Sequence, residues 1–205
     1  MTVLVTIGPT QEPLDAMRLI SNRSTGELGT LLAGTLASRG HQVIALRVPG
    51  ATTPSAPLGH HGIRVIPFTA TEDLRRALEK LSVETRIDAV HHAAAVSDFY
   101  LPGAGTGKIP TKEGALTLTL EPTPKLLPMM RSWFPKARIT GWKFEASGDR
   151  ESALAAGRAQ IDACATDACV VNGPAYGEGF GLISADSTIQ HLPDRQELCA
   201  LLAAF

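Results

Sequence analysis

Apolar runs and segments with apolar residues at helical spacing alternate along the whole chain. The run TVLVTI (2–7) is continuous and rich in β-branched residues, which is typical of a strand buried on both faces. The following segment STGELGTLLAGTLASRG carries leucines at helical spacing and reaches Gly40, which predicts a helix and its end. Further predicted strands are HQVIALRV, IRVIPF, IDAVHHAAA, LTLTLE, ARITGWKF, ACVVN and the hairpin FGLISADSTIQHL; further predicted helices are TATEDLRRALEKLS, PKLLPMMRSWF, RESALAAGRAQIDACA and DRQELCALLAAF.

Strands that alternate with helices predict a parallel sheet with right-handed crossovers. The expected fold is therefore α/β, Rossmann-like and doubly wound, with a mostly parallel sheet. The segment LTLTLE (116–121) alternates apolar and polar residues, so it predicts a half-buried strand, and we expect it and the late hairpin to be antiparallel additions. The sequence contains no internal repeat or linker, so residues 1–205 are expected to form a single domain.

Composition limits the partners that the chain is expected to have. Among 205 residues, 44% are hydrophobic and the formal net charge is -1, so we expect neither a nucleic-acid nor a membrane partner. The three cysteines lack the spacing of a metal site and are interpreted as buried, reduced thiols. No signal peptide and no apolar run of membrane-spanning length is recognised, so the expected location is cytoplasmic.

Polar and small residues follow the predicted parallel strands, where doubly wound sheets bind their ligands. In SNRSTGELG, the residues Ser24, Thr25 and Gly26 can direct N–H and hydroxyl groups at an anion, or can simply cap the helix. The segment is neither a Walker loop nor a G-x-G-x-x-G loop. Similar clusters after other strands are GPT, AAAVSDFY, GWKFE and NG.

Three features near these strand ends need separate interpretation. His91 and His92 are adjacent on a strand and point to opposite faces, so we predict no metal site from them. Asp98 is expected either to bind a ribose hydroxyl or a metal, or to shape a turn. The loop 102–114 carries Lys108 and either closes over a substrate or is a solvated linker.

Taken together, these motifs resemble the phosphopantothenate–cysteine ligase family, in a stand-alone form. The matching segments occur in the family's order over nearly the whole chain: GPTQEPLDAMRLISNRSTGELG, HHAAAVSDFY, GKIPTKEGALTLTLEPTPKLL, ITGWKFE and CVVNG. In many bacteria this domain follows a flavin-dependent decarboxylase. The resemblance implies a coenzyme A biosynthesis ligase that joins 4'-phosphopantothenate to cysteine through an acyl-nucleotide, with Mg2+ and with ATP or CTP, and releases pyrophosphate.

The resemblance also implies roles for individual residues. Asn22 would handle the acyl-nucleotide, and Lys108 would neutralise phosphate charge. Arg18 would bind the phosphate of the pantothenate held by a neighbouring subunit, which implies a homodimer. The implied nucleotide-binding residues are Gly8, Ser24, Gly26 and Gly29 along the phosphates, Ala93, Ala94 and Asp98 toward nucleotide and substrate, and Trp142 and Asn172 near the base or ribose; no residue is expected to be a metal ligand.

The chain departs from the family at three places. Gly173 replaces an acidic residue, and Trp142 replaces a phenylalanine. The helix before the ACVVN strand has Arg158 where CTP-using members carry lysines. The segment KLLPMMRSWFPKARITGWKFE resembles the eukaryotic ATP-using members, so these features favour ATP as the nucleotide. One alternative, a nicotinamide- or flavin-dependent reductase, lacks its glycine turn and its Tyr-x-x-x-Lys pair here. The other alternative is a non-catalytic ligand-binding relative, which Gly173 keeps open.

Overall fold

The computed structural model describes residues 1–111 and 115–204, so Lys112 of the predicted 102–114 loop and Phe205 of the predicted last helix lie outside the described residues. In chain order the strands are β1 (Thr2–Ile7), β2 (Gln11–Pro13), β3 (Leu19–Ser21), β4 (Gln42–Arg47), β5 (Ile63–Pro67), β6 (Ala89–His92), β7 (Phe99–Tyr100), β8 (Glu121–Pro122), β9 (Arg138–Phe144), β10 (Ala168–Asn172), β11 (Phe180–Ser184) and β12 (Ile189–Leu192). The helices are α1 (Glu27–Ser38), α2 (Thr71–Glu84), α3 (Met130–Trp133), α4 (Arg150–Cys164) and α5 (Arg195–Leu202).

Eight strands form one sheet in the order β12-β11-β10-β9-β6-β1-β4-β5. Strands β5, β4, β1, β6, β9 and β10 are parallel, and β11 and β12 are antiparallel at one edge. From β1 the chain builds outward through β4 and β5, then returns to the other side of β1 with β6. The predicted doubly wound fold is confirmed, and its topological switch point lies between β1 and β6.

Strand β1 is buried on both faces because helices cover the sheet on both sides. Val3 and Val5 pack in a cluster with leucines of α1 and α5, whereas Leu4 packs in a second cluster with leucines of α2 and with Met130 of α3. None of these three β1 side chains is exposed to solvent. The continuous apolar run in the sequence therefore predicted correctly that β1 is buried on both faces.

The predicted LTLTLE strand is wrong. Only Glu121 and Pro122 are in a strand, β8, which pairs with β7 in a separate two-stranded sheet. Residues 115–120 have no strand structure, and the Leu116 side chain is 58% exposed. Alternation produces a half-buried strand only where a core face is available to cover one side, and this segment lies away from the main sheet. The other predicted antiparallel addition, the late hairpin, is confirmed as β11 and β12.

A short hairpin that sequence reasoning did not predict stands between β1 and α1. Its strands β2 and β3 pair antiparallel, and long-range contacts fix it to the fold. The Glu12 carboxylate accepts hydrogen bonds from the Thr71 N–H (2.9 Å) and hydroxyl (2.7 Å) at the start of α2. The Ser21 hydroxyl donates to the Thr10 carbonyl at 2.8 Å.

In the described part of the chain, no helix combines the length and apolar character that a bilayer crossing requires.

The two histidines of β6 occupy opposite faces of the sheet, as predicted. His92 lies beside Thr6, whose hydroxyl accepts from the Ala94 N–H (3.1 Å) and forms a hydrogen bond with His92 Nδ1 (3.0 Å). His91 lies on the other face, edge-on to Trp142 with ring centroids 6.3 Å apart. Burial lowers the pKa of His92 to about 4 and that of His91 to about 3.

These histidines predict a pH dependence of stability. In the unfolded chain they bind protons below about pH 6.5, whereas in the fold they stay neutral until the pH nears 4. The free energy of unfolding should therefore fall as the pH drops from about 6.5 to 4, by at most about 1.4 kcal/mol per pH unit for each histidine. Urea denaturation at about pH 7, 5.5 and 4.5 measures this slope.

The matched variant is His92→Asn, because the side-chain amide can donate to or accept from the Thr6 hydroxyl in place of Nδ1. Its free energy of unfolding should change less steeply over the same pH range. Identical slopes for the two proteins would mean that His92 does not contribute to acid sensitivity.

Candidate functional site at the switch point

The crevice at the switch point is closed at its base by hydrogen bonds that extend β1 and β6 beyond the sheet. The Ala95 N–H donates to the Gly8 carbonyl at 3.2 Å, and the Thr10 N–H donates to the Ala95 carbonyl at 3.1 Å. The Ser97 N–H then donates to the Thr10 hydroxyl at 2.8 Å. The loop after β1 and the loop after β6 are thus held side by side as one unit.

Gly26 and Gly29 allow the start of α1 to approach the end of β1, because a Cβ at these positions would lie 3.2 Å and 3.0 Å from the Ile7 side chain. Gly26 precedes the helix with φ +77°, and Gly8 ends β1 with φ +90°. A Cβ on Gly8 would lie 2.5 Å from Val48 Cγ1, so only glycine fits. Gly29 packs in the first turn against Ile7. N–H groups at a helix start attract anions, and Ser24 lies shortly before this start. The first of these groups, the Glu27 N–H, donates to the Thr25 hydroxyl at 3.2 Å, so Thr25 partly caps the helix.

Asn22 joins the two parts of the crevice. Its Nδ2 donates to the Val96 carbonyl at 3.0 Å, and its own carbonyl accepts from the Ser24 N–H at 3.0 Å. The asparagine is exposed to solvent. The structure therefore brings the predicted Asn22 next to the loop that contains Ala93, Ala94 and Asp98, about 75 residues further along the chain.

The loop after β6 is fixed by its own contacts. The N–H of Ala93 donates to the His91 carbonyl (3.1 Å), and that of Ala94 donates to the Thr6 hydroxyl. Asp98 is exposed and forms an ion pair with Lys125, a residue that sequence reasoning missed. The only signal for Lys125 was its position in the PTPKLL segment that follows β8.

Lys108 lies in a glycine-rich segment that is bound by the loop of the β2–β3 hairpin. The carboxylate of Asp15 accepts from Arg18 Nε (3.0 Å), from Arg18 Nη2 and from the Ile109 N–H (2.9 Å). Arg18 Nη2 also donates to the Ile109 carbonyl at 2.8 Å, and the Ala16 N–H donates to the Gly107 carbonyl at 3.3 Å. We call this arrangement the Asp15 clasp: Asp15, Arg18 and the backbone of residues 107–109.

The electrostatics of the clasp keep Asp15 charged. Hydrogen bonding to the Arg18 guanidinium, followed by the Ile109 N–H, holds the pKa of the Asp15 carboxyl far below its usual value. The same contact raises the pKa of Arg18. Neither group changes its charge near neutral pH, so the clasp persists through the physiological range. The structure therefore places Arg18 against its own chain, with its side chain 43% exposed.

Trp142 and Asn172 lie at the carboxyl ends of β9 and β10, on the same edge of the sheet as the crevice. The Trp142 ring packs against the core cluster of α1 and α5, and its buried Nε1 has no hydrogen-bond partner among the described residues. Asn172 is half-buried, and its carbonyl accepts from the Glu145 N–H at 2.9 Å. Trp142 is thus partly a core residue, which its sequence position did not reveal.

Gly173 has a structural explanation in this chain. Its φ is +112°, and a Cβ there would lie 2.5 Å from the Glu145 carbonyl oxygen. The backbone turn that follows β10 is therefore compatible with glycine and not with an acidic residue.

No metal centre is recognisable from the protein ligands alone. Within residues 1–111 and 115–204, no group of three or more histidine, cysteine, aspartate or glutamate side chains is placed to hold a metal ion. Asp98 forms an ion pair with Lys125.

The fold is that of a Rossmann-like α/β protein, with its topological switch point between β1 and β6. The chain belongs to the family described as the DNA/pantothenate metabolism flavoprotein C-terminal domain, whose model matches residues 1–200.

One curated relative is the coenzyme A biosynthesis bifunctional protein CoaBC of Thermococcus kodakarensis, 33% identical over 170 residues. The match covers 83% of this chain and 40% of that protein, so the chain spans well under half the length of this relative. A DNA/pantothenate metabolism flavoprotein from Streptococcus pneumoniae has a similar fold, with a TM-score of 0.83 at 22% identity, covering 98% of this chain and 96% of that one. A Cab2 variant in complex with phosphopantothenate-cysteine gives a TM-score of 0.81 at 21% identity, covering 98% and 84%.

The Gly173 turn makes a prediction about stability. Gly173→Ala should lower the free energy of unfolding by about 2–4 kcal/mol, because it combines a positive φ with a clash against Glu145. Gly177→Ala is the matched control, since Gly177 also has a positive φ (+91°) but has open space around its Cβ position. The control should cost about 1–2 kcal/mol. Equal losses in chemical denaturation would show that the Glu145 contact is not restrictive.

Proposed function

We propose that the chain is a nucleotide-dependent ligase that joins 4'-phosphopantothenate to cysteine. The observation that carries the proposal is the junction of Asn22 with the loop after β6, at a helix start suited to anions. Membership of the family and the names of its relatives, a coenzyme A biosynthesis protein and a protein bound to phosphopantothenate-cysteine, support the choice of substrates.

The proposed reaction has two steps. The phosphopantothenate carboxylate attacks the α-phosphorus of the nucleotide, which forms an acyl-nucleotide and expels pyrophosphate. The amine of cysteine then attacks the acyl carbon, and the nucleoside monophosphate leaves as the amide forms. A carboxylate is a poor acyl donor, so the first step supplies a leaving group that the free acid lacks.

The proposed roles are those that the resemblance to the ligase family implies for these residues. The N–H groups at the start of α1, with Gly8, Ser24, Gly26 and Gly29 around them, bind phosphate. The Asn22 amide is uncharged and can donate to an acyl or phosphoryl oxygen without repelling either. Lys108 adds positive charge where phosphate charge develops. Ala93, Ala94, Asp98, Trp142 and Asn172 complete the nucleotide and substrate walls.

The nucleotide and its metal remain proposals. ATP is favoured over CTP, because the helix before β10 offers Arg158 and no lysine. Mg2+ would be held largely by the triphosphate and by water, which is its usual mode of binding with nucleotides. Asp98 is the carboxylate of the crevice that could join it. The cytoplasm is the proposed location, and three free, buried cysteines are consistent with a reducing compartment.

A homodimer is proposed, with Arg18 serving the substrate of the neighbouring subunit. Several large apolar side chains are exposed on the projecting elements: Met17 by 73%, Leu19 by 50% and Phe99 by 50%. Strands β2 and β7 are in contact, so these residues belong to one region of the surface. Exposed apolar surface of this kind is typical of protein interfaces.

Light scattering should give twice the chain mass; a monomer at micromolar concentration would contradict the proposal.

The function is tested by pyrophosphate release from ATP or CTP with Mg2+ and phosphopantothenate, with and without cysteine. We expect release that requires phosphopantothenate, and amide product only when cysteine is added. A folded protein that binds phosphopantothenate but releases no pyrophosphate would be the non-catalytic relative instead.

Lys108→Gln should lower kcat by about 100- to 1,000-fold, because it removes a positive charge from the proposed phosphate site. The side chain is exposed, so the free energy of unfolding should change by no more than about 0.5 kcal/mol. The matched control is Lys136→Gln, an exposed lysine immediately before β9, at the opposite edge of the sheet. Pyrophosphate release and urea denaturation measure the two effects. An unchanged rate would exclude Lys108 from the reaction.

A further inference from the structure

The Asp15 clasp joins two segments that otherwise belong to different parts of the chain. Asp15 and Arg18 stand in the loop of the β2–β3 hairpin, and residues 107–109 lie in the segment after β7. The Asp15 side chain is 1% exposed, and its two oxygens accept five hydrogen bonds. A buried carboxylate needs this degree of saturation to remain charged.

The two oxygens of Asp15 divide these contacts. Oδ1 accepts from the N–H groups of Met17 and Arg18, both at 2.8 Å, which shapes the hairpin turn itself. Oδ2 accepts from the Arg18 side chain and from the Ile109 N–H, which ties the turn to the distant segment. The contact of Oδ2 with the Ile109 N–H is therefore not needed to shape the turn, and it anchors the distant segment instead.

The distant segment needs such an anchor because of its composition. Gly103, Gly105 and Gly107 make the backbone before Lys108 conformationally free, and ordering such a backbone is costly in entropy. The clasp binds the backbone on both sides of Lys108, at Gly107 and at Ile109. The Lys108 ammonium itself makes no hydrogen bond or ion pair to the described residues, so it is free to bind an anion.

We propose that Asp15 is a positioning residue that holds Lys108 in place for the nucleotide phosphates. The kinetic part of this inference rests on the proposed ligase function. Asp15 touches neither substrate nor reacting atoms; it acts through the backbone of residues 107–109. It also fixes the direction of Arg18, so one carboxylate sets the positions of both cationic side chains.

The test uses Asp15→Asn, which keeps the size of the side chain. The amide oxygen can replace Oδ1 and preserve the turn, whereas the NH2 group replaces Oδ2 and cannot accept from Arg18 or Ile109. The matched control is Glu12→Gln, a buried acid in the same hairpin that binds Thr71 and not residues 107–109. Hydrogen–deuterium exchange of residues 101–111 measures the clasp without any activity, and thermal unfolding measures the fold.

We expect exchange at residues 107–109 to rise in Asp15→Asn and not in Glu12→Gln. The KM for the nucleotide should rise and kcat/KM should fall by about 10- to 100-fold, as for other misplaced catalytic groups. Glu12→Gln should stay within about threefold of the unaltered protein. A purely structural role would lower the melting temperature in both variants without separating their nucleotide KM values.

Two results would overturn the inference. Unchanged exchange at residues 107–109 would mean that Oδ2 does not hold the segment. Raised exchange with an unchanged nucleotide KM and kcat would mean that the clasp does not position Lys108. If the unaltered chain released no pyrophosphate at all, the proposed function would fail instead, and nucleotide affinity measured by calorimetry in the same two variants would decide whether the clasp positions Lys108.

Discussion

The hydrogen bonds that extend β1 and β6 beyond the sheet are the constraint on which the site depends. They join Gly8 and Thr10 to Ala95 and Ser97, so that two loops distant in sequence are held together as one unit. Asn22 completes the unit by donating to Val96. Doubly wound sheets bind ligands in the crevice at the switch point, and here these contacts join the loops that border it.

Positive charge near the crevice comes from individual side chains, because the formal net charge of the chain is only -1. Arg18 is bound to a buried carboxylate, whereas Lys125 is bound to an exposed one, Asp98. An exposed ion pair contributes at most about 1 kcal/mol, so Lys125 can exchange Asp98 for a phosphate at little cost. The pair of Arg18 with Asp15 carries further hydrogen bonds and is built to persist. Lys125 can therefore change its partner, whereas Arg18 is held in one position.

Sequence patterns predicted the elements whose burial is decided within a few residues. Strand β1 and helix α1 belong to this group, because apolar runs and glycine positions determine them locally. The β2–β3 hairpin was missed because its six strand residues carry no pattern; Glu12 fixes it to the start of α2, and Ser21 closes it against Thr10. The LTLTLE segment failed for the opposite reason: its pattern is clear, but no core face covers it.

The candidate site divides in the same way. The crevice residues Gly8 and Gly26 were recognisable because they lie at a strand end and at a helix start, and Asn22 was recognisable through the resemblance to the ligase family. Asp15 and Lys125 were not, since their importance lies in contacts with residues 109 and 98, which no local pattern encodes. The restriction on Gly173 likewise depends on the backbone of Glu145, 28 residues earlier in the chain.

The central claim is that phosphopantothenate is activated as an acyl-nucleotide in this crevice. The most direct test labels the carboxylate of phosphopantothenate with oxygen-18 and follows the nucleoside monophosphate by phosphorus NMR during turnover with cysteine. Attack of the carboxylate on the α-phosphorus transfers one labelled oxygen to the monophosphate when the amide forms. Label in the monophosphate is the predicted result; amide product with label only in inorganic phosphate would contradict the account, because it would require an acyl-phosphate instead.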